Sequence, residues 1–326
     1  MTTRPSRAFR RLAIVTAALT YLLIVVGGVV RVTGSGDGCG SSGGWPLCNG
    51  SLLPALRTTT LIEFSHRWIT TIATVLIVAL VITAWARVRR HRRLVVASTL
   101  AGVLLVVQIA LGALVVEFDL PGGIVLVHLA NALLLLAVLV YVAVTANTLG
   151  TAAESRASDL ARAVRPTTIA AGATYLLALS GALVVETKSS AGCNGWPLCG
   201  GGFQLPAAQM DVINMTHRVV AGVAVVLIGV VMGVLLRRFR GDRALRRAAM
   251  VVNVVLLAQI AAGALVVVLR LPSGVQALHL ALASLLWASV VGVAVLTRAR
   301  LEATEPAPAE NEPGVRLPRT AHVASA

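Results

Sequence analysis

Four of the six histidines in this sequence recur with a regular spacing: His66 and His128 are 62 residues apart, as are His217 and His279. Each of the four lies near the start of a long apolar run, where an ionisable side chain is costly in a bilayer and indicates a functional site. Two neutral imidazoles without nearby thiolates or carboxylates do not complete a structural zinc shell. They do match the axial ligands of a six-coordinate haem held in a helical bundle. The alternative for any one of them is a structural histidine held by hydrogen bonds.

A carboxylate and two arginines accompany these histidines. Glu63 precedes His66 by three residues, which places both side chains on one helical face. Beside an axial ligand, this carboxylate can move protons or stabilise positive charge on a substrate, and the alternative is a solvated acid at the membrane surface. Arg67 and Arg218 directly follow His66 and His217. Both are candidates for contacts with haem propionates, because arginine pairs well with carboxylates, and the alternative is a snorkelling residue at the interface.

The four cysteines fall in two loops, as Cys39 with Cys48 and Cys193 with Cys199. On the oxidising side of a membrane, this pattern predicts one disulfide in each loop. Neither spacing resembles a zinc-binding C-x-x-C motif. The disulfides would staple glycine-rich loops, and the alternative is a role in redox exchange.

The elements that position these residues are predicted to be membrane-spanning helices. The 326 residues are 57% hydrophobic and only 13% charged, whereas about 25% of the residues in ordinary soluble domains are charged, so a water-soluble globular protein is excluded. A bilayer core of about 30 Å needs about 20 apolar residues per helix. Eight such runs predict an all-α polytopic membrane protein, with spans at about 12–32, 64–86, 94–116, 123–146, 168–186, 212–236, 248–269 and 274–297.

The net charge of +15 predicts the orientation of these spans. With the N-terminus in the cytoplasm, 22 of the 28 basic residues lie on the cytoplasmic side, as the positive-inside rule requires. The expected location is a bacterial plasma membrane, with both termini cytoplasmic and the histidines toward the opposite side. Few aromatic residues accompany the basic clusters, so nucleic-acid binding is not expected. The segment 301–326 has no apolar periodicity and is predicted to be a disordered cytoplasmic tail.

The chain also contains an internal repeat. The motif QIALGALVVEFDLPGGIVLVHLA at 108–130 returns as QIAAGALVVVLRLPSGVQALHLA at 259–281, an offset of 151 residues. The predicted fold is therefore two repeated four-helix bundles, 1–150 and 160–300, related by a pseudo-two-fold axis along the membrane normal. The repeat is broken where Glu63 aligns with Asn214 and Asn131 with Leu282. Whether the histidines pair within or across the halves stays open at this stage.

Taken together, these features resemble one family, the bacterial haem A synthases, over nearly all of residues 8–300. The resemblance rests on eight spans in two bundles, E-x-x-H on the second span, one histidine on each of spans 4, 6 and 8, and a cysteine pair in an outer loop of each half. It implies that the C-terminal half holds a haem B cofactor through His217 and His279. It also implies that the N-terminal half receives haem O at His66 and His128, with Glu63 near the reacting methyl group.

The resemblance further implies an oxidoreductase that converts the methyl group of haem O to the formyl group of haem A, with water as the oxygen source. Haem B would relay the electrons, and a quinone is the expected acceptor. Haem O synthase and the assembly pathway of a terminal oxidase would be partners. The alternatives are a bis-histidine cytochrome or a quinone-linked thiol oxidoreductase acting only as an electron carrier, and a transporter whose histidines relay protons.

Overall fold

The computed structural model describes residues 4–40, 47–52, 54, 56–118, 122–151, 155–193, 195–199 and 208–304. Within these ranges, eight helices are long and apolar enough to cross a membrane, and the eight predicted spans are confirmed. The helices are α1 (Arg7–Val32), α2 (Thr58–Arg87), α3 (Arg92–Glu117), α4 (Gly122–Thr148), α5 (Ala157–Glu186), α6 (Gln209–Arg238), α7 (Arg243–Val268) and α8 (Ser273–Glu302).

Several helices extend beyond the apolar runs that predicted them. The largest extension is in α5, which begins at Ala157 rather than near 168, because polar residues continue the helix outside the part that the hydrocarbon core requires to be apolar. At the start of α7, Asp242 Oδ1 accepts hydrogen bonds from the backbone N–H groups of Ala244 and Leu245. Helix α8 reaches Glu302, inside the predicted tail. The rest of that tail, 305–326, lies outside the described residues.

The helices of each half form a closed ring of four. In the first half α1 packs on α2, α2 on α3, α3 on α4 and α4 on α1, and α5 to α8 pack in the same cyclic order. Helices α2 and α4 therefore stand diagonally opposite each other, as do α6 and α8. This arrangement matters for function because the four regularly spaced histidines lie on these diagonally opposed helices.

Three apolar clusters hold the eight helices together. One lies inside the first ring and includes Leu80 and Leu139, and a second lies inside the other ring and includes Ile228 and Leu245. The third joins the halves where α1, α4 and α8 meet, around the buried indole of Trp287. The halves thus share an apolar interface in addition to their own cores.

Two tyrosines cross this interface in equivalent ways. Tyr21 on α1 donates a hydrogen bond to Ala281 O, at 3.3 Å, and Tyr175 on α5 donates one to Ala130 O, at 3.2 Å. Each carbonyl lies two residues after a histidine of the other half. The indole of Trp287 also donates across the interface, to Leu133 O at 2.9 Å. Each half therefore contacts the histidine-bearing helix of the other.

The two ends of the molecule differ in character. At the end that carries the N-terminus, which we call the terminal face, Arg93 pairs with Glu302 and Arg300 with Asp242. The opposite end, the loop face, carries both cysteine pairs. There Arg31 at the end of α1 forms a bidentate pair with Glu186 at the end of α5, with N–O distances of 3.1 and 2.8 Å. This pair links the halves beside the histidine sites.

Candidate functional site

The four histidines lie at matching depths below the loop face. His66 and His217 are eight residues into their helices, and His128 and His279 are six residues into theirs, which is about 9 to 12 Å from each helix start at 1.5 Å per residue. His66 is close enough to His128 to interact with it electrostatically, and His217 is likewise close to His279. The structure thus brings the histidines together in pairs within each half, across the diagonal of each ring.

A glycine on a neighbouring helix lies against each of the four imidazoles. A Cβ atom added to Gly27 or Gly112 would come within 3.2 Å of the ring of His66 or His128 respectively. The second half repeats this arrangement, with Gly181 at 3.0 Å from His217 and Gly263 at 2.9 Å from His279. Because glycine has no side chain, each imidazole can pack directly against the backbone of the neighbouring helix. These glycines were not predicted from the sequence, although Gly112 recurs as Gly263 at the offset of the repeat.

Replacing Gly263 by Ala should weaken haem retention in the second half. The added methyl would overlap the His279 ring and displace this candidate ligand. Overpacking of this kind costs about 1 to 3 kcal/mol, so we expect retention to fall by about 5- to 150-fold. The measurement is the haem B content after prolonged gel filtration. Gly229→Ala is the matched control, because its Cβ meets no heavy atom within 4 Å and alanine favours the helix. Equal haem loss in both variants would contradict the role of Gly263.

Ser180 orients the imidazole of His217. Its Oγ lies 2.8 Å from both Leu177 O and His217 Nδ1. When the hydroxyl donates to the carbonyl, its own lone pair accepts from Nδ1–H, and the Nε2 lone pair is then free for a metal. Ser180 directly precedes Gly181, which packs on His217, whereas the residue that precedes Gly27 on α1 is Val26. Ser180 was not identified from the sequence, and its signal was a polar residue next to Gly181 in an apolar span.

A chain of amides contacts His128. Asn131 donates to Gln108 Oε1 at 2.7 Å, and Gln108 Nε2 lies 3.0 Å from His128 Nε2. The Nδ1 atoms of His128 and His279 are both buried without a hydrogen-bond partner among the described residues. The paired imidazoles, the glycines packed against them and the diagonal placement of their helices fit a planar iron porphyrin held between two helices.

Glu63 is buried, with only 4% of its surface exposed. Arg67 donates to its Oε1 from Nε at 3.1 Å and from NH2 at 2.6 Å, while the Cys39 backbone N–H donates to Oε2 at 2.7 Å. The carboxylate is therefore not the solvated surface acid of the alternative interpretation. At the equivalent position, the Asn214 amide accepts from Arg218 Nε at 2.9 Å. The two halves share this geometry and differ in the negative charge.

Arg67 and Arg218 hold the loops onto the even-numbered helices. Arg67 donates to Leu47 O, to Gly40 O and twice to Glu63, and Arg218 makes four corresponding hydrogen bonds to the second loop and to residue 214. A guanidinium has five N–H donors, so one donor of each arginine remains outside these contacts. Neither residue acts as a freely snorkelling side chain in this structure.

Both predicted disulfides are present, joining Cys39 to Cys48 and Cys193 to Cys199 with Cα–Cα distances of 4.5 and 4.8 Å. The first loop lies directly on α2, where Thr60 Oγ1 donates to Gly38 O at 3.0 Å. The intervening residues 41–46 lie outside the described residues. The first disulfide is therefore adjacent to Glu63, which binds the Cys39 backbone.

The fold and the paired histidines define a class of protein: a polytopic helical membrane protein with two interior sites suited to bis-histidine haem ligation. The model of the COX15-CtaA family, described as cytochrome oxidase assembly protein, matches residues 10–59 and 55–291. The chain belongs to this family.

Curated relatives match over most of their own length. The chain is 33% identical to the Heme A synthase of Symbiobacterium thermophilum, over 89% of this chain and 96% of that protein. It is 30% identical to the Heme A synthase of Bacillus pumilus, over 83% of this chain and 89% of that protein. It is 32% identical to that of Geobacillus kaustophilus, over 78% and 80%. The resemblance found in the sequence is confirmed.

Proposed function

We propose that this chain oxidises the methyl group of haem O to the formyl group of haem A. The conversion of a methyl group and one water to a formyl group releases four electrons and four protons, so the protein is an oxidoreductase. His66 and His128 hold the substrate haem O in the N-terminal half, 1–150. His217 and His279 hold a haem B cofactor in the C-terminal half, 160–300, and this cofactor supplies a one-electron relay when bound.

The observation that carries this proposal is the buried carboxylate of Glu63, which lies one helical turn from His66 and is replaced by an amide, Asn214, in the second half. Glu63 and Asn214 occupy equivalent positions with equivalent arginine contacts, but only Glu63 carries charge. A buried carboxylate stabilises positive charge that develops on the substrate carbon and can accept a proton from the attacking water. A protein that only carries electrons between two permanent haems has no need of this difference.

The cofactor assignment is supported by the environment of His217. Its hydrogen bond with Ser180 holds one ring orientation, and such partners of metal-bound histidines favour tight binding. His66 lies against Gly27, and the residue before this glycine is Val26, which has no hydroxyl group. A firmly oriented ligand suits a resident cofactor, whereas a less constrained ligand suits a substrate that must leave.

The remaining N–H donors of Arg67 and Arg218 are suited to haem propionates, which would lie at the loop face. The excess of basic residues at the terminal face supports a cytoplasmic location for both termini in the bacterial plasma membrane. In this orientation the haem sites lie toward the extracytoplasmic side. Haem O synthase would supply the substrate, a terminal oxidase assembly pathway would receive haem A, and a quinone would accept the electrons.

Extraction and identification of the bound pigments tests the proposal against its alternatives. Protein purified from cells that make haem O should contain haem B together with haem O or haem A, and its haem A content should rise during turnover. Two permanently bound B haems would indicate an electron carrier and contradict the proposal. Protein without haem absorption would indicate a transporter with proton-relay histidines.

A further inference from the structure

The hydrogen bonds around His128 have only one consistent direction. Asn131 Nδ2 lies 3.0 Å from Leu104 O and 2.7 Å from Gln108 Oε1. A backbone carbonyl can only accept, so Asn131 must present its NH2 group to it. The same NH2 group requires an acceptor on Gln108, which turns the Gln108 NH2 group toward His128. Gln108 Nε2 therefore donates to His128 Nε2, at 3.0 Å.

This direction places the Gln108 amide at the lone pair that an iron atom would use. A neutral imidazole has one nitrogen that accepts and one that carries hydrogen. With Nε2 accepting from Gln108, the hydrogen bond engages the lone pair of His128. Haem can bind through Nε2 only when this hydrogen bond breaks, so Gln108 and iron compete for one site.

The second half lacks the residue that holds the amide in place. Leu282 occupies the position equivalent to Asn131, and Gln259 Nε2 lies 3.4 Å from His279 Nε2. Gln259 Oε1 is buried without a hydrogen-bond partner among the described residues. A contact of Gln259 with His279 therefore leaves a buried acceptor without a donor among the described residues, which is unfavourable.

We propose that Asn131 and Gln108 form an amide cap on His128, which makes haem binding in the N-terminal half reversible. The cap stabilises the haem-free state and raises the dissociation constant for haem, so that substrate can enter and product can leave at each turnover. The C-terminal half has no cap and retains its haem. This inference rests on the proposed assignment of the N-terminal half as the substrate site, and in it Asn131 is a positioning residue that acts through Gln108.

The repeat supplies the variants that test the cap. Asn131→Leu copies the second half into the first, and haemin titrated into the as-isolated protein should bind the N-terminal site about fivefold more tightly, the factor associated with one net hydrogen bond. In the reciprocal variant, Leu282→Asn, the equilibrium constant for transfer of haem B from the C-terminal half to apomyoglobin should rise about fivefold, for the same reason. Both readouts are binding measurements, independent of turnover.

Gln108→Leu provides a second variant, because it removes the competing amide itself and leaves Asn131 bound to Leu104. It should also tighten haemin binding in the N-terminal half. The Soret absorbance of the C-terminal haem B reports in each variant whether the bundle is folded. Unchanged or weaker N-terminal binding in both folded variants would overturn the cap.

A parallel titration of His128→Ala separates this outcome from failure of the proposed function. If His128→Ala abolishes the titratable site while Asn131→Leu and Gln108→Leu do not tighten it, the substrate site stands and the cap is wrong. If His128→Ala leaves haemin binding unchanged, the substrate site is not at His128, and both the assignment and the cap are overturned.

Discussion

Glu63→Gln is expected to lower the conversion of haem O to haem A by about 100-fold or more, the range in which a lost acid–base group falls. Glutamine keeps an acceptor for Arg67 but has no negative charge to stabilise a cationic substrate carbon or to take a proton from water. Both haem sites should remain loaded, because the histidines are unchanged. The measurement is the haem A formed per bound haem O in detergent-solubilised protein or in cells.

The control for this prediction addresses the contacts that Glu63 makes to the first loop. Glutamine disturbs the hydrogen bond from Cys39 N–H, so a purely structural effect on the loop must be separated from chemistry. Asn214→Ala breaks the corresponding loop contacts in the second half, to Arg218 and to Ser189 O. If Glu63 only anchors its loop, both variants should lose activity in proportion to lost haem. A loaded Glu63→Gln protein that still makes haem A at the normal rate would exclude the catalytic role.

The second large effect is expected at His217. His217→Ala removes one of the two ligands proposed for haem B and leaves Ser180 without its imidazole partner, so the low-spin haem B spectrum should disappear. Absorption spectroscopy of the reduced protein, with quantification of the bound haem, makes the measurement. Conversion should fall as well, because the electron relay is lost.

The matched control is His66→Ala, which removes the equivalent ligand of the first half. Its haem B spectrum should persist while its haem O content falls. A normal low-spin spectrum in His217→Ala would place the haem B ligand elsewhere. Loss of the haem B spectrum in His66→Ala and not in His217→Ala would mean that the halves exchange the roles proposed for them.

The number of membrane spans could be predicted because each span is a local pattern. Four of the six histidines could be selected as candidate ligands because they recur at a constant spacing in the repeat. A bilayer requires about 20 apolar residues per helix, and this requirement is visible in composition alone. The constant offset in the repeat likewise reveals the difference between Glu63 and Asn214 without any structure. Cys39 and Cys48 could be paired because they share one short loop.

The arginines show where residue type alone was insufficient. Arg67 and Arg218 are candidates for propionate contacts because carboxylates are good partners for guanidinium groups. The structure shows in addition that four of the five N–H donors of each arginine bind its loop and residue 63 or 214. Loop carbonyls are present in every sequence, so nothing in the residue types indicates which of them will face an arginine.

By itself, the sequence determined eight membrane spans, two cysteine pairs, four regularly spaced histidines and the replacement of Glu63 by Asn214 in the repeat. Tertiary structure decided that the histidines pair across the diagonal of each ring, that glycines pack against them, and that Ser180 and Gln108 contact them. The physical reason is that a membrane helix is apolar toward lipid and toward its neighbours alike, so hydropathy does not reveal which face turns inward. Contacts such as that of Asn131 with Gln108 exist only once the packed helices select that face.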